Sequence, residues 1–200
     1  WIEAQHLTNT DEIRLMSEPA CVEDVGEPVD TALFQLAGLL LSDANNSLTR
    51  IDLDACVLDA DRADRYASYF HETWSGIELD GLATLTRSTT NRRLLSRLGA
   101  FYKIDNGQKR LSDDAFTSGL AAQKHLLRGL FSADGIVNEN SVELHNSSTG
   151  LIEDVQTLLL GFGIKSRRDI DRNQLTIDRN NLTKFATHIA FANEQKLAML

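Results

Sequence analysis

The stretch Leu127-Arg128-Gly129-Leu130-Phe131-Ser132-Ala133-Asp134-Gly135 is mostly apolar, carries a glycine inside a helical pattern, and ends on an aspartate and a second glycine. A weaker version lies upstream, Leu36-Ala37-Gly38-Leu39-Leu40-Leu41-Ser42-Asp43-Ala44. Each pairs a small residue with another four positions on, Gly38 with Ser42 and Gly129 with Ala133, and residues four apart share a helix face. An interior helical glycine costs roughly 1 kcal/mol relative to alanine. Glycines at equivalent places therefore predict an offsetting gain from two helices packed backbone to backbone.

Working outward, the flanking segments repeat in order. The first half reads as a helix from Asp30 to Ala44 with Asp30 as N-cap, an extended run Ser47 to Leu58, a helix Arg62 to Trp74, an extended run Gly76 to Thr86, and a helix Asn91 to Tyr102. The second half reads as a helix Gly119 to Asp134, strands within Ile136 to Asn146, a helix Thr149 to Gly161, strands within Lys165 to Asp178, and a helix Asn181 to Ala192. Markers recur at offsets of 91 (Asp43, Asp134), 87 (Gly76, Gly163) and 90 (Asn91, Asn181). The expectation is an α+β chain built from two tandem αββαββα copies, 30–110 and 111–200. Ahead of them, Pro19, Gly26 and Pro28 mark 17–29 as a linker after a short piece, 1–16.

The aspartate ending each motif faces the negative end of a helix dipole, which disfavours it by several tenths of a kcal/mol. Close helix packing would also bring Asp43 and Asp134 together. Two like charges so placed call for a cation, and hard oxygen donors with no nearby Cys or His suit Mg²⁺. Such an ion, held between carboxylates beside a phosphodiester, is suited to hydrolysing it.

Composition bounds the partner. The 200 residues carry a net charge of -9, which by itself argues against nucleic acid, because phosphate binding depends on Lys and Arg. The charge is unevenly spread: residues 1–80 hold 17 acidic and 4 basic side chains, whereas 81–200 hold 12 and 16. Seven basic residues from Arg87 to Arg110 face one acidic residue, Asp105. No apolar run is long enough for a membrane span, and the Trp1-Ile2-Glu3-Ala4 start lacks the basic and apolar regions of a secretory signal. With only Cys21 and Cys56, a reduced cytoplasmic setting is expected.

The paired motifs resemble the LAGLIDADG motifs of homing endonucleases, particularly those carried inside inteins. The likeness covers Thr31 onward and includes Ser141-Val142-Glu143-Leu144, Asp154-Val155-Gln156-Thr157-Leu158-Leu159 and Gly163-Ile164. The first motif departs from the pattern at Leu41, Ser42 and Ala44. The resemblance implies a pseudo-two-fold monomer whose saddle-shaped antiparallel sheets lie in the major groove of a long duplex site. It also implies Mg²⁺-dependent cleavage of both strands, with Asp43 and Asp134 as metal and water ligands. Lys109, in Lys109-Arg110-Leu111-Ser112, and Lys196, after Phe185, Ile189 and Phe191, match the positions of lysines beside the scissile phosphates. Implied DNA contacts are Arg50, Asp52, Thr84, Thr86, Arg87, Arg92, Arg93, His145, Arg167, Arg168 and Arg172, although a one-residue register error would turn a strand residue to the other face. Trp1 to Leu15 resembles the last strands of the first half of an intein splicing domain. Two alternatives are a DNA-binding module of this fold without catalysis and a structural remnant within an intein. His71, followed by Glu72, reads as a helix-surface pair rather than a metal ligand.

Overall fold

The computed structural model describes Thr8, residues 29–43, 90–192 and 194–200, together with the backbone of 51–54, 71–79 and 82–89. The readings of the N-terminal piece and the linker (apart from Thr8 and Val29), of Arg50, of Ala44 and of a helix over 62–70 lie outside these residues.

Two helices form the centre. Helix α1, Thr31–Leu41, starts as predicted at Asp30, whose Oδ1 accepts the Leu33 N–H at 3.2 Å. Nine of its eleven residues are buried, so the helix is covered nearly all round. The second motif forms a 15-residue helix, Leu120–Asp134, entered through Gly119 at φ +84°. An ideal Cβ on Gly38 would collide with the Leu126 carbonyl oxygen and lie 2.7 Å from the Leu130 nitrogen. One on Gly129 would collide with the Gln35 carbonyl oxygen and lie 2.9 Å from the Gln35 carbonyl carbon. These contacts are reciprocal. Gly38 meets Leu126 and Gly129 meets Gln35, and both glycines and both partners stand 91 residues apart, as a two-fold axis between equivalent helices requires.

Strands β1 (Ile51–Asp54), β2 (His71–Leu79) and β3 (Leu82–Thr89) form an antiparallel sheet in the order β1-β3-β2. Helix α2, Arg92–Gly99, follows, capped by Asn91 Oδ1. Next come the hairpin β4 (Tyr102–Asp105) and β5 (Gln108–Leu111) and a short helix α3 (Asp113–Thr117); the second motif helix above is α4. The second copy continues with β6 (Gly135–Asn138), β7 (Ser141–His145), α5 (Thr149–Gly161), β8 (Arg167–Asp169), β9 (Gln174–Asp178), α6 (Arg179–His188) and α7 (Glu194–Met199). Its sheet runs β6-β7-β9-β8, and its last three strands repeat the β1-β3-β2 order of the first. The α+β architecture of two related units is therefore present. Buried leucines of α1, α2 and α4 merge with Val142, Leu144, Leu175, Ile177 and Phe185 into one core.

The structure corrects local readings in four places, one of them the last helix of the second copy, which runs Arg179–His188 and stops short of Ala192, with Ala190 at φ 57°. His71 to Trp74 belong to strand β2, with His71 opposite Ser88 and Glu72 opposite Arg87, so the helix ending at Trp74 and the helix-surface reading of His71 and Glu72 do not hold. Pairing with β3 there overrides helical periodicity. Gly76 lies within β2, whereas Gly163 follows α5 at φ +68°, so those two are not equivalent. The helix expected to reach Tyr102 ends at Gly99, and Tyr102–Leu111 forms a hairpin that the sequence reading leaves without an element, although its Asn106-Gly107 turn, at φ 50° and 78°, is the dipeptide that a tight hairpin favours.

Candidate active site

The junction of α1 and α4 brings the motif aspartates together. The Asp43 backbone N–H donates to Asp134 Oδ2 at 3.1 Å. The segment joining β7 to α5 clasps both residues. Asn146 Nδ2 donates to Asp134 Oδ2 at 2.9 Å and to the Leu41 carbonyl at 3.3 Å, while the Ser147 N–H and Oγ donate to the Asp43 carboxylate at 2.8 and 2.7 Å. Ser148 Oγ caps α5 and also donates to the Lys109 carbonyl. These three residues were missed in the sequence, where the run Asn146-Ser147-Ser148 reads only as a helix N-cap signal.

Each motif helix ends against a lysine. Lys109 Nζ donates to the carbonyls of Ser42 at 2.9 Å and Leu40 at 3.1 Å. Lys196 Nζ donates to those of Ser132 at 2.7 Å and Ala133 at 3.3 Å. The two ammoniums thus meet equivalent helix ends, one from strand β5 and the other from helix α7. A cation satisfies orphan carbonyls and the negative helix terminus, offsetting the unfavourable position of each aspartate. The C-terminal segment is laced onto α4 as well, since Arg128 Nε donates to the Ile189 carbonyl at 2.6 Å and the Ala192 N–H to Ser132 Oγ at 2.8 Å.

Burial tunes these groups. Desolvation holds both lysines below the ordinary lysine pKa, countered by Asp43 and Asp134 at Lys109 and by Asp134 at Lys196. Burial likewise raises Asp134. The hydrogen bonds from Asn146 and from the Asp43 N–H oppose the rise, the Asp43 charge adds to it, and the Lys109 charge lowers it. Such a site favours an added cation. Among the described residues no three His, Cys, Asp or Glu gather at one point, so an ion here would rest on two carboxylates and other oxygens. Without sulfur or imidazole, that donor set fits a hard divalent cation.

The DNA-contact candidates divide. Burial alternates along the second sheet, with Val142, Leu144, Leu175 and Ile177 facing the core. The opposite face carries Ile136, Ser141, Glu143, His145, Arg167 and Thr176. His145 lies 3.3 Å from Glu143 there. Arg168 pairs with Leu175, points to the core side and bonds Glu153 of α5, so it is not on that face. Arg172 sits exposed in the β8–β9 turn, 3.7 Å from Asp169. Arg92 and Arg93 are exposed on the first turn of α2, and Arg87 lies in β3 opposite Leu53 and Glu72. Arg110, read with the basic cluster, instead turns to Asp154. Among the described residues no helix is long and apolar enough to cross a membrane.

Comparison with known proteins agrees with this fold. Residues 121–190 match the family described as a LAGLIDADG-like domain. A probable translation initiation factor IF-2 of Pyrococcus furiosus is 41% identical over 75 residues, which are 37% of this chain and 7% of that protein. The chain thus spans a small fraction of that curated relative. Among solved structures, the homing endonuclease I-WcaI bound to its DNA recognition sequence is similar with a TM-score of 0.57 and 16% identity, over 84% of this chain and 86% of that one. A mesophilic variant of the homing endonuclease I-DmoI gives 0.56 and 14%, over 80% and 88%. Full-length DUF199/WhiA from Thermatoga maritima gives 0.54 and 14%, over 88% and 62%. Residues 121–190 are LAGLIDADG-like in sequence, and the chain has the α+β fold of the LAGLIDADG homing endonucleases.

Proposed function

We propose that this chain is a site-specific double-strand DNA endonuclease of intein origin, acting as a cytoplasmic monomer with Mg²⁺. One observation carries the reading: Asp43 and Asp134 meet at the ends of two helices in backbone contact, with a lysine at each end. In this reading Asp43 and Asp134 hold the cation, which when bound supplies charge neutralisation and an activated water. Asn146 and Ser147 hold the carboxylates in orientation. Lys109 and Lys196 each approach one scissile phosphate and stabilise the charge that grows there. Residues 30–110 and 111–200 supply one half-site each, which is why one chain suffices for a duplex.

The duplex lies along the two sheets, with His145 and Arg167 reading bases and Arg50, Arg87, Arg92, Arg93 and Arg172 contributing positive charge to the backbone contacts. A segment alike over 75 residues within a much longer translation factor supports the intein origin, since such an insert interrupts its host. The divalent cation is supported by relatives described in complex with DNA and Ca, and with DNA and Mn. Residues 1–16 belong, in this reading, to the neighbouring splicing strands.

The test is selection of a bound site from a random duplex library, followed by incubation of a supercoiled plasmid carrying that site with Mg²⁺. Linear product is expected. Site-specific binding without cleavage would leave a DNA-binding module of this fold, and absence of salt-sensitive duplex binding would leave a structural insert.

A further inference from the structure

The Asp154 carboxylate is more than nine-tenths buried within α5, yet it lies outside the aspartate and lysine constellation. It accepts the Arg110 Nε–H at 3.0 Å, a second guanidinium N–H from Arg110, and the Leu111 backbone N–H at 2.8 Å. All three donors belong to the two residues that follow Lys109 on β5. The aliphatic stem of Arg110 lies against Gly150, where an added Cβ would come within 2.7 Å of Arg110 Cδ. One carboxylate of α5 thus grips the end of the hairpin by a side chain and by its main chain. A bidentate pair with an added backbone bond fixes both distance and orientation.

The consequence falls on Lys109. Its Nζ reaches the α1 carbonyls from a two-stranded hairpin, a structure of marginal stability alone. Lys196 is placed differently, from α7 and the segment that Arg128 and Ser132 tie to α4. We propose that Asp154 is a positioning residue for Lys109, acting through Arg110 and the Leu111 N–H beside the Ser148 bond to the Lys109 carbonyl, and has no such role for Lys196. This rests on the endonuclease reading, and it predicts that losing Asp154 impairs one strand cut and spares the other.

Two measurements test it on the full chain. In the first, Asp154→Asn and the double variant Asp154→Leu/Arg110→Met are compared with wild type on the selected-site plasmid. The double variant removes both charges of the pair, so it leaves only the Leu111 N–H without its acceptor and no unpaired buried charge. Accumulation of nicked circles, with the same strand cut as in Lys109→Met, is expected, at least tenfold above wild type. Equal slowing of both strands, or none, would overturn the proposal. The second needs no activity: a double-mutant cycle on urea-unfolding midpoints crosses Asp154→Leu/Arg110→Met with Lys109→Met and, separately, with Lys196→Met. Non-additivity with Lys109 and additivity with Lys196 are expected. Additivity with both overturns the positioning role, whereas coupling to Lys109 in a protein that cuts no DNA would overturn the endonuclease reading alone.

Discussion

The backbone N–H of Asp43 donates to the carboxylate of Asp134 across the ends of two helices, at 3.1 Å. This bond joins residues 91 positions apart, and it requires α1 and α4 to be in backbone contact rather than separated by side chains.

That requirement makes the helix glycines decisive for stability. Gly38→Ala or Gly129→Ala adds a methyl where a carbonyl oxygen already stands, and backbone cannot move aside as a flexible side chain could. Relief of the glycine penalty, roughly 1 kcal/mol, is smaller than the overpacking cost, which reaches about 3 kcal/mol or more where the structure cannot yield. Each variant should lose about 2 kcal/mol or more net. Urea unfolding measures this, and wild-type stability in either variant would show that the helices do not touch as described.

Asp134 is held in its site at a cost that depends on pH. Its pKa is raised in the folded chain by burial, so the folded state binds more protons than the unfolded state between the ordinary aspartate range and the raised value. Stability attributable to this group is full below about pH 4 and is lost as pH rises through the raised value. Asp134→Asn should therefore be more stable than wild type at neutral pH, and the advantage should shrink on acidification. Unfolding midpoints across that range check the sign. Added Mg²⁺ should raise the melting temperature of wild type and leave that of Asp134→Asn unchanged, because an ion stabilises only a fold that binds it.

The two lysines should separate by strand. Lys109→Met and Lys196→Met each remove an ammonium from one motif-helix end. On the proposed function, each slows one cut by about 10²- to 10³-fold, the usual effect of removing one transition-state donor. Duplexes labelled on each strand should be nicked on opposite strands by the two variants. Loss of both cuts in both variants would contradict separate roles.

Neighbouring arginines in β8 should behave differently. Arg167 is exposed on the face away from the core, whereas Arg168 turns inward to Glu153. Arg167→Ala should weaken duplex binding with little change in unfolding. Arg168→Ala should lower stability by about 1 kcal/mol, the scale of a partly exposed ion pair, with binding affected less. Salt titrations of affinity beside urea unfolding distinguish the two outcomes, and a reversed pattern would mean that β8 is shifted by one residue.

The sequence by itself determined the central design. Glycines and aspartates at one offset of 91 are enough to predict packed helices with carboxylates together, because a helical glycine is tolerated where a close approach offsets its cost. Asp30 as a cap and the α5 boundaries were legible for equally local reasons. The tertiary structure decided everything that depends on a partner far along the chain. Trp74 lies in a strand because β3 pairs with it, and Arg168 leaves the outer face because register fixes its direction. Lys109 and Lys196 reach matching helix ends from a strand and a helix, a convergence that no local pattern encodes. Asn146 and Ser147 look in sequence like an ordinary helix entry. They hold the two aspartates because β7 ends where α1 and α4 meet, so the fold rather than local propensity chooses their partners.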